Sequence, residues 1–487
     1  VVANTRLQNS VLTQVTGCSE LMDFSADDGG NADAFVALYG DAYLYVDELG
    51  WLHYNGQNWE QDTGSLVKAV EDTLLQRRLE AVKCEEERIQ EASKRNKYRV
   101  EGAMFLLESR LHAKIDDFDN DRDVLNVANG VVDLRTGELT GHDSTQRFTY
   151  VVAVDYDPEA DSTAWETFLQ EAVTPVGKKP DAELLEFIQQ SMGYSFTGYT
   201  REERLFYIYG PTRSGKGTFT EAFLTLLPRP IAMEVDFNTF TARRDGNDQN
   251  FDLADMRPSR LIFASESNKY QSLNPGKIKQ LTGGNDIQAA FKHKNRFSYR
   301  PQYVVWLSSN HKVMGDPEDD ALWYRVLVVE FPNSHAEHED TSLKARMKQS
   351  EAQRGILKWI VEGAIRWYAS KRLEVPEQVR LATQAHRDEL DTIALWINDE
   401  VTEDETAFAP FAEAYQSYSL WCENNGVEPK KSRELGIALK KRYPSPNDND
   451  KRYITAEDGT RKQVRGFPGI VVEPVYDVRQ RMTLSNR

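Results

Sequence analysis

The sequence predicts an α/β fold for the centre of this chain, with an α+β region before it and a helical, winged-helix-like region after it. Strand and helix signals alternate from Leu205 to about Phe331, the pattern of a sheet joined by helical crossovers. A glycine-rich turn lies between the first apolar strand of that stretch and a helical run. Outside it, the apolar spacing is that of short strands or of amphipathic helices.

A chain of 487 residues exceeds one ordinary core. Four regions are expected: 1–200, 201–335, 336–400 and 401–487. In the first, Trp51-Leu52-His53-Tyr54-Asn55-Gly56-Gln57-Asn58-Trp59 reads as a hairpin turning at Asn55-Gly56. Residues 65–112 are charged, free of proline and apolar at helical spacing, which predicts a solvated helical arm. Two short strands around turns are expected over 125–139, and helices over 163–197. The third region opens on GILKWIVEGAIRWY, a helix over 355–368.

Hydrophobic residues at 40% and charged residues at 28% fit a soluble globular protein. No apolar run approaches the roughly 18 residues that cross a bilayer. The first thirty residues have no basic start followed by an apolar block, so no secretory signal is expected. The chain begins at Val1 rather than Met, consistent with a fragment or a processed form. Cys18, Cys84 and Cys422 form no C-x-x-C pair. Reduced thiols and a cytoplasmic location are therefore expected. The net charge of −18 argues against a surface coated for nucleic acid. It leaves room for cations confined to a narrow channel.

Within the central region, Gly210-Pro211-Thr212-Arg213-Ser214-Gly215-Lys216-Gly217-Thr218 follows the strand Leu205–Tyr209 and precedes a helix. That is the setting of a phosphate-binding P-loop. The glycines let the backbone wrap phosphates, the helix start adds a favourable dipole, and Lys216 would reach the β- and γ-phosphates. The plain alternative is a surface glycine-rich turn. Gly217 stands where Ser or Thr ordinarily ligates Mg²⁺. Either Thr218 helps from a shifted position or the ion is held through water.

A second apolar strand ends in Ser265-Glu266. Glu266 suits polarising the attacking water and supporting Mg²⁺; alone, it would be a strand cap. A third strand, Tyr303–Leu307, runs into Ser308-Ser309-Asn310. Asn310 offers both a donor and an acceptor to a γ-phosphate or its water. Arg325 opens a fourth strand, Val326–Phe331. Its charged, planar fork suits a phosphate across a subunit interface, and the alternative is a structural ion pair.

The order SRLIFASES, KIKQLTGGNDIQAAFKHKNRFSYRPQYVVWLSSN and DDALWYRVLVVEF resembles the helicase domain of superfamily 3. More closely it resembles the phage and plasmid primase–helicases related to the poxvirus primase–helicase. WLHYNGQNWEQD, LNVANGVVDLRTGEL and MGYSFTGYTREERLFYIYG resemble that family's domain before the ATPase, and LDTIALWINDEV with YQSYSLWCENNG its C-terminal region. The resemblance covers about residues 36–470. It implies an AAA+-like P-loop ATPase core, a hexameric ring, ATP with Mg²⁺, and translocation on single-stranded or forked DNA. A primase or polymerase is an expected further partner, and a host cytoplasm the location if the chain is phage-encoded. Lys216, Glu266, Asn310 and Arg325 match the family's P-loop lysine, catalytic acid, sensor and arginine finger. Gly217 and Tyr324 stand where the family often has a hydroxyl residue and a second arginine.

The family's DNA-gripping hairpin falls on Phe291–Phe297. Lys292, His293 and Lys294 at its tip suit backbone phosphates and stacking. Residues 429–465 hold eleven Lys or Arg against five Asp or Glu. A helix from Ser432, capped by that serine, and strands near Tyr453 and Val464 would form a winged-helix contact for DNA or for an acidic partner. Competing readings are a DNA-packaging or loading motor, a nucleotide kinase and a non-catalytic initiator. The first 200 residues show no carboxylate triad for two-metal synthesis, so no primer synthesis is expected.

Overall fold

The computed structural model describes residues 19–241, 251–265, 272–290, 296–312, 315–336, 340–425, 427, 429–444, 451–455 and 461–472. They fall into two compact units: the residues up to Lys312 with Arg325–Val379, and the remainder from Arg380 with the insert that ends at Tyr324.

The first unit begins with the helix Asp28–Tyr39 and a meander of β1 (Tyr43–Val46), β2 (Gly50–Tyr54) and β3 (Trp59–Gln61). The expected hairpin joins β2 to β3, with Gly56 at φ +102°. The charged stretch is no free arm. Its helices Thr63–Lys83 and Lys97–Arg110 bury Leu66, Val70, Leu74 and Leu107 against Phe35, Tyr43 and Trp51. Their apolar stripe finds its cover in the helix Asp28–Tyr39 and in strands β1 and β2. Cys84 is disulfide-bonded, against the expectation of reduced thiols, while Cys422 is free and buried. Spacing along the chain does not reveal which cysteines meet in space.

A second small sheet follows, of β4 (Val124–Val127), β5 (Gly130–Asp133) and β6 (Leu139–Thr140). Then come the helices Thr163–Val173 and Ala182–Ser195. The central sheet takes β7 (Leu205–Tyr209), β8 (Ala232–Glu234), β9 (Leu261–Ser265), β12 (Val304–Ser309) and β13 (Val326–Glu330). β10 (Ile287–Ala290) and β11 (Arg296–Tyr299) form a separate hairpin. The strand order is β13-β7-β12-β9-β8, and every pairing is parallel. Parallel strands are covered on both faces, which is why these read as nearly unbroken apolar runs. The core stacks Phe206 on Trp306 at 4.4 Å between ring centroids. Around them lie Trp165, Phe219, Phe223 and Trp359.

The amino-terminal region shares this core. Arg260, just before β9, is fully buried and donates to the carbonyls of Asp121 (2.6 Å), Val124 (2.7 Å) and Phe196 (2.9 Å). Trp306 Nε1 donates to Ser195 Oγ at 2.9 Å. A buried guanidinium needs such acceptors, because stranding it would cost several kcal/mol, of order 3.

The second unit carries the helix Thr392–Glu400, β14 (Val401–Pro410), the helices Phe411–Asn424 and Ser432–Arg442, then β15 (Lys451–Thr455) and β16 (Arg461–Val472). Its sheet is antiparallel in the order β14-β16-β15. Trp396, Tyr418, Leu435, Leu439 and Phe467 fill its core. Ser432 is the first helical residue rather than the cap; Lys431 holds the cap position, without a side-chain bond. No helix among the described residues is long and apolar enough to cross a membrane.

Candidate functional site

β7 ends at Tyr209, and Gly210 turns the chain. A Cβ on Gly210 would lie 2.0 Å from the Phe331 carbonyl oxygen, so no side chain fits there. Arg213 and Gly215 take left-handed backbone, φ +65° and +93°. That curl leads directly into the helix Lys216–Leu226. Early amides of such a helix lack internal acceptors and carry the positive end of its dipole. Pro211, Thr212 and Arg213 are exposed, whereas Ser214, Lys216 and Thr218 are buried.

Lys216 folds back over the turn. Its Nζ donates to the carbonyls of Gly210 and Pro211, each at 2.7 Å, and to Ser214 Oγ at 3.0 Å. These acceptors are neutral, and burial lowers the lysine pKa to about 8. The ammonium has no anionic partner among these contacts, so an anion at the turn would be favoured.

The sheet register puts other strand ends beside the loop. Gly210 N donates to Ser309 O at 3.4 Å, so β12 delivers Asn310 next to the turn, where it is exposed. Ser309 Oγ donates to the His311 carbonyl (2.8 Å), as does the Tyr207 hydroxyl, and together they pin the strand end. β9 lies on the other side of β12, with Ser265 opposite Ser308. Glu266 follows Ser265 and lies outside the described residues. Sequence reasoning missed Glu234 at the end of β8, which accepts from Ser265 Oγ at 2.9 Å. A three-residue strand gives too little periodicity to be found.

Arg325 sits elsewhere. Its carbonyl accepts from Leu205 N at 2.8 Å, at the amino edge of the sheet. The loop leaves from the carboxyl edge, where Glu330 pairs Tyr209. Five residues of strand, about 16 Å, separate the two. Arg325 forms an ion pair with Glu203 at 2.6 Å and is 16% exposed. The structure thus brings the loop and Asn310 together and keeps Arg325 apart.

β10 and β11 form the stem of the expected hairpin. Ile287 and Ala289 are buried, and Tyr299 OH donates to Leu253 O at 2.6 Å. Lys292, His293 and Lys294 lie outside the described residues.

The segment after β13 was also missed. Ser334 Oγ donates to Thr212 O (2.9 Å), and His335 N donates to Arg213 O (3.0 Å). Farther on, Lys344 reaches Glu221 on the loop's helix at 3.0 Å. No local pattern announces these contacts, because the partners are far apart in the chain. For Mg²⁺, no cluster of three or more His, Cys, Asp or Glu is present among the described residues. Of the two residues expected to support the ion, Thr218 is buried in the first turn of the loop's helix and Glu266 lies outside the described residues.

Three family descriptions match separate stretches of the chain. "D5 N terminal like" covers residues 32–174, a family of unknown function (DUF5906) covers 208–325, and "Poxvirus D5 protein-like" covers 388–457. The putative helicase L207/L206 of Acanthamoeba polyphaga mimivirus is 22% identical over 292 residues, which is 56% of this chain and 30% of that protein. Primase D5 of Fowlpox virus is 24% identical over 229 residues, 45% of this chain and 28% of the relative. The putative primase C962R of African swine fever virus is 22% identical over 385 residues, 73% and 39%. The chain therefore spans well under half the length of these curated relatives. Among solved structures, the A-form apo structure of the NrS-1 C-terminal region is 10% identical, covering 90% of this chain and 98% of that one, with a TM-score of 0.48.

Proposed function

We propose that this chain, a member of the viral primase–helicase family that includes the poxvirus D5 protein, is an ATP-driven DNA helicase that works as a ring on single-stranded DNA. The observation that carries this reading is the opposition of the two sheet edges. The loop and Asn310 stand at the carboxyl edge, and Arg325 stands about 16 Å away at the amino edge. An arginine side chain cannot span that gap to its own loop. In a ring, the same residue faces a neighbouring subunit's nucleotide, where its fork would stabilise charge on the transferred phosphoryl group.

Phosphates in the loop would take the Lys216 ammonium from the two carbonyls it now contacts. Glu266 would polarise the attacking water, and Asn310 would orient it against the γ-phosphate. Glu266 and Thr218 would hold Mg²⁺ directly or through water, and the ion would supply Lewis-acid charge to the phosphate oxygens. Lys292, His293 and Lys294 would hold single-stranded DNA in the pore, and the ring would be a hexamer. The names of the relatives, helicase and primase, support a place in viral DNA replication. A host cytoplasm and a partner primase or polymerase belong to the same proposal.

The test is ATP hydrolysis with and without single-stranded DNA, run beside strand displacement on a forked duplex. Lys292→Ala/His293→Ala should keep hydrolysis and lose displacement. Hydrolysis indifferent to DNA, with no displacement by the wild-type chain, would instead favour a packaging or loading motor.

A further inference from the structure

Gly217 occupies the position from which a P-loop hydroxyl ordinarily reaches Mg²⁺. Its backbone does not call for glycine, since it lies within the helix and its φ is not positive. Packing does not call for it either. A Cβ there would meet a single neighbour within 4 Å, the Nζ of Lys344 at 3.6 Å. A helical glycine costs about 1 kcal/mol relative to alanine, and here neither conformation nor space explains it. What stands over the missing side chain is an ammonium group.

Lys344 belongs to the short helix Leu343–Met347, which lies along the loop's own helix. Its Nζ is 3.0 Å from Glu221, one turn after Gly217 on the same face. Lys348 pairs with that same carboxylate. Two lysines thus share one acid, so Lys344 can turn to another anion while Lys348 keeps Glu221 neutralised. Lys344 is 55% exposed, with freedom to swing. Upstream, Ser334 and His335 hold the segment against the loop through the carbonyls of Thr212 and Arg213.

We infer that Lys344 is a second phosphate-binding lysine of the nucleotide site, reaching the bound polyphosphate across the space that Gly217 leaves open. The inference rests on the nucleotide-binding reading of the loop. Lys216 approaches the polyphosphate from within the turn and Lys344 from the flank. The added cation would neutralise phosphate charge beside Mg²⁺, at the position where Gly217 supplies no hydroxyl.

The full chain can be titrated with the N-methylanthraniloyl derivatives of ATP and AMP in Mg²⁺, following fluorescence. Lys344→Ala should raise the ATP Kd about ten-fold, which is about 1.4 kcal/mol, and leave the AMP Kd nearly unchanged. Lys344→Arg should recover most of the loss. Lys348→Ala, which leaves Lys344 as the partner of Glu221, should raise the ATP Kd by less than Lys344→Ala does and leave the AMP Kd nearly unchanged. If Lys344→Ala binds ATP like wild type while Lys216→Ala does not, Lys344 only pairs with Glu221 and the assignment is overturned. An equal loss for ATP and AMP would also overturn it, because a packing defect ignores phosphate count. If the wild-type chain binds neither nucleotide, the nucleotide reading itself fails and this inference falls with it.

Discussion

The two edges of the central sheet hold their key cations in opposite ways. At the carboxyl edge, Lys216 is buried and rests on neutral carbonyls and a hydroxyl, so its charge is under-compensated and its pKa falls to about 8. At the amino edge, Arg325 meets the Glu203 carboxylate at 2.6 Å. The first cation is ready for an anion and gives up little to gain one. The second must leave an ion pair before it can act. If Arg325 is the proposed finger, a lysine that lacks an anionic partner and an arginine held in an ion pair would suit a motor that fires only when assembled.

The largest expected effect tests the finger. Arg325→Ala should lower ATP turnover by roughly a thousand-fold or more, with nucleotide binding nearly intact. Mixing it with Lys216→Ala subunits should restore part of the turnover, because each mutant supplies what the other lacks. Normal turnover by Arg325→Ala alone would end the finger assignment.

A smaller effect should test the carboxyl edge by pH. The free Lys216 loses its proton near pH 8, and a bound phosphate favours the ammonium. Binding above that pH must therefore take up a proton. The nucleotide Kd should be flat below about pH 8 and rise by up to about ten-fold per unit above it. A flat Kd from pH 7 to 10 would mean that Lys216 stays charged in the free loop.

Gly210→Ala sharpens the structural side of the contrast. Its Cβ would collide with the Phe331 carbonyl at 2.0 Å, so the turn must open. A stability loss of about 1–3 kcal/mol in urea unfolding is expected, together with weakened nucleotide binding. Wild-type stability and affinity would show that the turn adapts freely. The smallest effect belongs to Glu203→Gln. It frees Arg325 from a partly exposed pair, so stability should change by no more than about 1 kcal/mol in the same unfolding assay. Turnover should rise modestly if the pair restrains the finger, and a fall would show that Glu203 positions Arg325 instead.

Much of this fold was legible because its signals are local. The parallel strands read as apolar runs since both faces are covered, and Gly210 and Gly215 punctuate the turn as its backbone requires. The α/β centre and the hairpin at Asn55-Gly56 followed from such patterns, whereas the β10–β11 hairpin was expected from the family resemblance. The supposed helical arm failed for the converse reason: an amphipathic stripe shows that a helix is covered, not by what. Glu234 was missed because β8 has only three residues, and Lys344 because nothing near it in sequence marks its role.

The sequence by itself determined where strands, turns and helices form, since steric limits on the backbone and burial of apolar side chains act over a few residues. It also determined which residue types stand at strand ends. Only the tertiary structure decided the strand order β13-β7-β12-β9-β8, and with it which ends share an edge. It alone decided that Glu203 holds Arg325 across 122 residues of chain. It likewise set two lysines on Glu221, one of them 127 residues away. Ion pairs and strand neighbours depend on distance in space, and chain spacing constrains that distance weakly once the connection is long.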